Sequence, residues 1–174
     1  LDPDLNVRRR ALLAIGRIGL ADNAPALVGA LGDEDEYSRA AAAFSLGLLA
    51  EKRSVPALEG ALKDPSALVR GQAAEALGLI GDEAAAGPIA EMAAWCGAGI
   101  AGIEPDDEAW PKAPEIEACR LSLFALARLK QYDALARVAL DAQGQPVSRW
   151  WPVAYALQRI GDPRAVPALV GLAS

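Results

Sequence analysis

Apolar positions along this chain recur at the spacing of a helix, and the helices recur at a fixed spacing of their own. Residues 7–19, VRRRALLAIGRIG, place Ala11, Ile15 and Ile18 at i, i+4 and i+7, one face of a helix. Moved forward by 31 residues, the pattern returns as SRAAAAFSLGLLA at 38–50, and after another 31 as VRGQAAEALGLIG at 69–81. ACRLSLFALARLK at 118–130 follows after a step of 49, and RWWPVAYALQRIG at 149–161 after a further 31. One apolar column reads Ile15, Leu46, Leu77, Leu126, Leu157, and a second reads Ile18, Leu49, Ile80, Leu129, Ile160.

A shorter apolar helix follows each long one: NAPALVGAL, SVPALEGAL, AAGPIAEMA, DALARVAL and AVPALVGL. Leu27, Leu58, Ile89, Val138 and Leu169 form its inward column, and Pro25, Pro56 and Pro167 fall early in it, where a missing N–H matters least. Each pair is too small to fold alone and buries its apolar faces on its neighbours. The expected units are about 2–32, 33–63, 64–112, 113–143 and 144–174, the third carrying 18 extra residues.

Gly19, Gly81 and Gly161 close the long helix in a position that tolerates positive φ. Gly16, Gly47 and Gly78 sit inside it, which predicts close passage of a neighbouring helix backbone. Asp2, Asp33 and Asp64 stand where N-caps belong, with Pro3 and Pro65 at the first helical position.

The pattern D-P-x-x-x-V-R-x-x-A-x-x-A-L-G-x-I-G-D-x-x-A-x-P-A-L resembles the HEAT repeat, in the short bacterial form of the phycobilin lyases. Residues 64–82, DPSALVRGQAAEALGLIGD, carry it almost letter for letter. The resemblance implies an all-α, right-handed α-solenoid of five HEAT-like hairpins, with the 18-residue insertion before the fourth long helix. It also implies that Asp2, Asp33 and Asp64, with Arg8, Arg39 and Arg70, form a structural ladder tying successive units together. As a fold signal it is specific; the fold itself hosts scaffolds, enzymes and spacers.

Composition narrows the function. The chain of 174 residues contains no histidine, which removes the commonest general base and excludes the His-Glu iron site of the HEAT-like deoxyhypusine hydroxylases. A net charge of −6 argues against a nucleic-acid footprint, and no groove of Lys and Arg matches that of the DNA-alkylation glycosylases with this general fold. The apolar run 92–103 is too short to span a bilayer. Cys96 and Cys119, 23 residues apart and outside any CxxC pair, read first as buried small hydrophobes, with a disulfide as the alternative. The opening LDPDLNV and the uncapped apolar end ALVGLAS read as the middle of a longer repeat protein, with further repeats or another domain expected beside it.

One stretch breaks the rhythm. AGIEPDDEAWPKAPEIE at 101–117 holds six carboxylates and a tryptophan between prolines, against the single cation Lys112. Its acids match no calcium loop and fix no glycosidase separation. Pro114 is expected to restart the helix, with Glu115 and Glu117 in its first turn. All four tryptophans lie after residue 94. Trp95 reads as filler of the gap that the insertion opens. The candidate partner-binding residues are Glu104, Asp106, Asp107, Glu108, Trp110, Trp150 and Trp151. No cofactor is expected. The sequence therefore points to a non-catalytic scaffold for a protein partner. The alternatives are a bilin lyase-like enzyme and a spacer beside a catalytic domain, such as the cyclophilin-like prolyl isomerase that some similar bacterial arrays carry.

Overall fold

The computed structural model describes residues 2–109 and 111–173. Long helices α1 (Leu5–Ile18), α3 (Glu36–Leu49), α5 (Ala67–Ile80), α8 (Pro114–Arg128) and α10 (Trp151–Ile160) pack side by side in one layer. The shorter α2 (Ala24–Ala30), α4 (Val55–Ala61), α6 (Ala86–Met92), α9 (Tyr132–Ala139) and α11 (Val166–Ala173) form a second. A five-residue helix, α7 (Cys96–Ile100), precedes α8. Each short helix leans on the next long one: α2 on α3, α4 on α5, α6 on α8, α9 on α10. The architecture is an all-α solenoid. Among the described residues, β pairing is limited to one isolated bridge, Leu140 to Pro146.

The core follows the two columns. Leu46, Leu77, Leu126 and Leu157 are buried in the long helices, and Leu27, Leu58, Ile89 and Val138 in the short ones. Glycine sets the spacing between long helices. A Cβ on Gly16, Gly47 or Gly78 would stand 2.7 Å from the Cα of Ser45, Ala76 or Ala125 on the next helix. Backbone is in the way at each rung, so only glycine fits.

Between the helices of a pair, short 3-10 turns at Lys52–Ser54, Glu83–Ala85 and Pro163–Ala165 are held by Glu51, Asp82 and Asp162, which accept from backbone N–H groups two residues on. Gly19, Gly81 and Gly161 close their helices at positive φ, and Ala50 and Lys130 adopt the same backbone at φ 51° and 54°.

Two expectations need correction. Asp2, Asp33 and Asp64 are not N-caps; those are Asp4, Asp35 and Ser66. The three aspartates stand two residues earlier, where each Oδ1 accepts from the N–H of the capping residue at 2.8–2.9 Å. Asp-Pro favours that turn because proline presets φ for the residue after the aspartate. The second correction concerns Cys96 and Cys119, which form a disulfide with Cα atoms 5.6 Å apart. A spacing of 23 does not reveal the pairing; α7 brings Cys96 alongside α8.

The same aspartates face arginines. Arg39 forks onto Asp64 at 2.7 and 3.0 Å and donates to the Asp33 carbonyl at 2.8 Å. Arg8 repeats this on Asp33 and the Asp2 carbonyl, both at 3.0 Å; its Nε lies out of line for a hydrogen bond, while Nη2 donates to Asp33 Oδ1 at 3.1 Å. Arg70 keeps the inner half, donating to the Asp64 and Pro65 carbonyls, and among the described residues it pairs with no aspartate beyond. Arg9 adds a lateral pair with the capping Asp35.

Candidate interaction surface

The acidic stretch begins beyond α7 and is fastened to the start of α10. Ser148 Oγ donates to the Ile100 carbonyl at 2.8 Å, and the Trp151 N–H to the Pro105 carbonyl at 3.0 Å. Trp150 Nε1–H reaches the Asp107 carbonyl at 3.4 Å. The disulfide secures the other side, so both flanks of the stretch are held.

This geometry sorts the acidic residues. Glu104, Asp106 and Glu108 are exposed. Asp107 is engaged: Lys112 Nζ lies 2.6 Å from its Oδ1, which also accepts from the Ala109 N–H. Those two contacts, Lys112 first, hold the Asp107 carboxyl below its ordinary range. Glu115 and Glu117 fall in the first turn of α8, behind Pro114 at its start. Glu117 pairs with Arg120 one turn on. Among the described residues no group of three His, Cys, Asp or Glu side chains converges as a metal site.

The tryptophans separate as well. Trp150 is 1% exposed, so the expectation that it anchors a partner does not hold. It fills the space between the acidic stretch and the array, the role expected of Trp95, which is half-buried against the core. Trp110 lies outside the described residues. Trp151 is 41% exposed and belongs to an aromatic group with Phe124 and Tyr155, centroids 5.0–6.3 Å apart. Arg120 stacks over Phe124 at 5.0 Å. Asp107, Lys112, Arg120, Trp150 and Trp151 line a shallow cleft of about 260 Å³.

The aromatic group continues along the outer side of the long helices. Tyr37, missed in the sequence, is 53% exposed under the Arg9 guanidinium, one turn pair before Phe44. Its distance of seven residues from Phe44 was the signal available. Glu75 interrupts this side; burial pushes its carboxyl above the ordinary range, against the opposing pull of Arg128 and Arg120. The opposite layer carries grooves of about 420 Å³ between short helices, one bordered by Pro56, Glu59, Pro88 and Glu91.

Comparison with known proteins agrees with this architecture. The family described as HEAT repeats matches residues 24–95, and the PBS lyase HEAT-like repeat matches residues 153–173. No curated protein sequence matches significantly. The complex of CpcE and CpcF of phycocyanin lyase from Nostoc sp. superposes with a TM-score of 0.70 at 27% identity, over 98% of this chain and 65% of that chain. Human deoxyhypusine hydroxylase in complex with glycerol superposes with a TM-score of 0.52 at 21% identity, over 98% of this chain and 62% of that one, a likeness of fold alone. The chain thus spans just under two thirds of either structure. The class that fold and repeats define is the HEAT-like repeat protein. Among the described residues no helix is long and apolar enough to cross a membrane.

Proposed function

We propose that the array is a non-catalytic scaffold that holds a protein partner. The observation that carries this reading is the aromatic group of half-buried Phe124 and exposed Trp151 and Tyr155 on α8 and α10, with α8 held close against α5 at the Gly78–Ala125 contact. Aromatic side chains with few rotatable bonds on a rigid frame suit an interface hot spot. The solved relative, a complex of two subunits, supports the same reading. Capture from lysate of the source organism tests it, with the intact chain and a variant whose residues 97–112 are a Gly/Ser linker as baits. The scaffold reading expects a discrete partner on the intact chain. No partner on either bait removes it.

A second reading, a bilin lyase-like enzyme, rests on the match of residues 153–173 to a PBS lyase repeat and on the likeness to phycocyanin lyase. A shifted absorption band of a free bilin on mixing supports that role; an unchanged spectrum counts against it.

A further inference from the structure

On the outer side of the long-helix layer, two rows of side chains hold three arginines and one carboxylate, a charge opposite to that of the chain. Each row takes one residue from each long helix: Leu13, Phe44, Glu75, Phe124, Tyr155 and, one turn on, Arg17, Leu48, Leu79, Arg128, Arg159. Residues four apart share a helix face, and no member of either row is buried. Over α1, α3 and α5 the rows border a shallow cleft of about 340 Å³ floored by Tyr37, Phe44, Leu68 and Gln72. Over α8 and α10 they hold the aromatic group. Glu75, within the field of Arg128 and Arg120, joins the two halves.

Arg17, Arg128 and Arg159 are exposed, and among the described residues none of them is held in a salt bridge. Glu75 is the one carboxylate in the two rows. Most other acids of this −6 chain lie in turns and in the inserted stretch, as Asp33, Asp64, Glu51 and Asp162 do, while Glu36, Glu115 and Glu117 stand in the first turns of α3 and α8, Glu117 being paired with Arg120. The basic residues of the rows are all arginine, whereas Lys52, Lys63, Lys112 and Lys130 lie in turns and the loop. Arginine is weakly hydrated and forks onto carboxylates, which makes it the cation of interfaces.

We propose that this face binds an acidic amphipathic helix of a protein partner, its apolar side chains on the two rows and its carboxylates on Arg17, Arg128 and Arg159. Five helices spaced about 8–10 Å apart give a span of roughly 32–40 Å, the length of a helix of about 21–27 residues. Anchors at i, i+3, i+4 and i+7 are the recognition mode such a face serves. This inference rests on the scaffold reading and adds the face and the chemistry of the partner.

The test uses fluorescein-labelled peptides of about 24 residues, with Leu and Phe at those anchors and either Glu or Lys at every other position, read by fluorescence anisotropy. The Glu peptide is expected to bind, to weaken as salt rises, and to bind at least about tenfold tighter than the Lys peptide. The Arg128→Glu/Arg159→Glu double variant is expected to lose about tenfold in affinity with an unchanged circular dichroism spectrum. Tyr155→Ser is expected to lose several-fold, and Glu59→Lys/Glu91→Lys on the opposite layer to lose nothing. Absent binding, equal binding of both peptides, or preferential attachment to phosphatidylglycerol vesicles overturns the proposal. A lysate partner held as well by Arg128→Glu/Arg159→Glu as by the intact chain overturns this face and leaves the scaffold standing, whereas failure of every bait removes the scaffold reading itself.

Discussion

Ala50 and Lys130 hold the left-handed backbone that Gly19, Gly81 and Gly161 supply elsewhere. A side chain there places Cβ against the following carbonyl at about 1–2 kcal/mol, part of which glycine returns through the greater freedom of its unfolded chain. Ala50→Gly and Lys130→Gly are each expected to raise stability by about 0.5–1 kcal/mol, read as a higher urea midpoint with unchanged m. At the same scale, burial pushes the Asp64 carboxyl up, but Arg39 and the Ser66 N–H more than offset this and hold it below the ordinary carboxylate range. A lowered carboxylate contributes stability that is complete above the unfolded pKa and lost as pH falls through the folded one. Stability is therefore expected to drop as pH falls below about 4. Asp64→Asn keeps the oxygen facing Ser66 but not the charge facing Arg39, so it should cost about 2 kcal/mol at pH 7 and flatten that drop. The three aspartates were legible as a column in the sequence; their exact duty was not. Both a cap and a turn two residues earlier satisfy an Asp-Pro step, and only the backbone decides between them.

Individual helices here depend on their neighbours for position. At Gly47 the next helix comes so near that an added Cβ would meet the Ala76 Cα, which is backbone and cannot swing aside. Gly47→Ala is expected to cost about 2–3 kcal/mol. Gly60 in α4 has nothing within 4 Å of that position, so Gly60→Ala should gain up to about 1 kcal/mol from helix propensity alone. Thermal unfolding of the two variants compares opposite signs for one chemical change. This level was the most legible, because the repeat period aligns the helices and reports a packing constraint as a recurring residue. Even the facing residues, Ser45, Ala76 and Ala125, lie two positions before the glycine column of the next unit. The helix α7 was missed: five residues with three small ones carry no period.

For the whole molecule the insertion decides what is new. The Cys96–Cys119 disulfide closes a 23-residue segment over the acidic stretch. Cys96→Ala/Cys119→Ala is expected to lower stability by about 3 kcal/mol, measured against the oxidised parent in denaturant titration. The repeat period stops at residue 92 and resumes at 118, so the sequence did not report that Trp150 meets Asp107, although its register sets Trp150 in the column of Arg8, Arg39, Arg70 and Cys119 and Trp151 in that of Arg9. Two adjacent tryptophans have the same propensity, and the start of α10 sends them to opposite sides. The scaffold reading is tested most directly by photo-crosslinking in the source organism. A benzophenone amino acid is placed at Tyr37, Tyr155, Glu108 or Pro56 in four separate chains. The account predicts one discrete protein adduct from Tyr37 and Tyr155 on the long-helix face and none from Pro56 on the opposite layer. An absence of adducts from all four positions would contradict it.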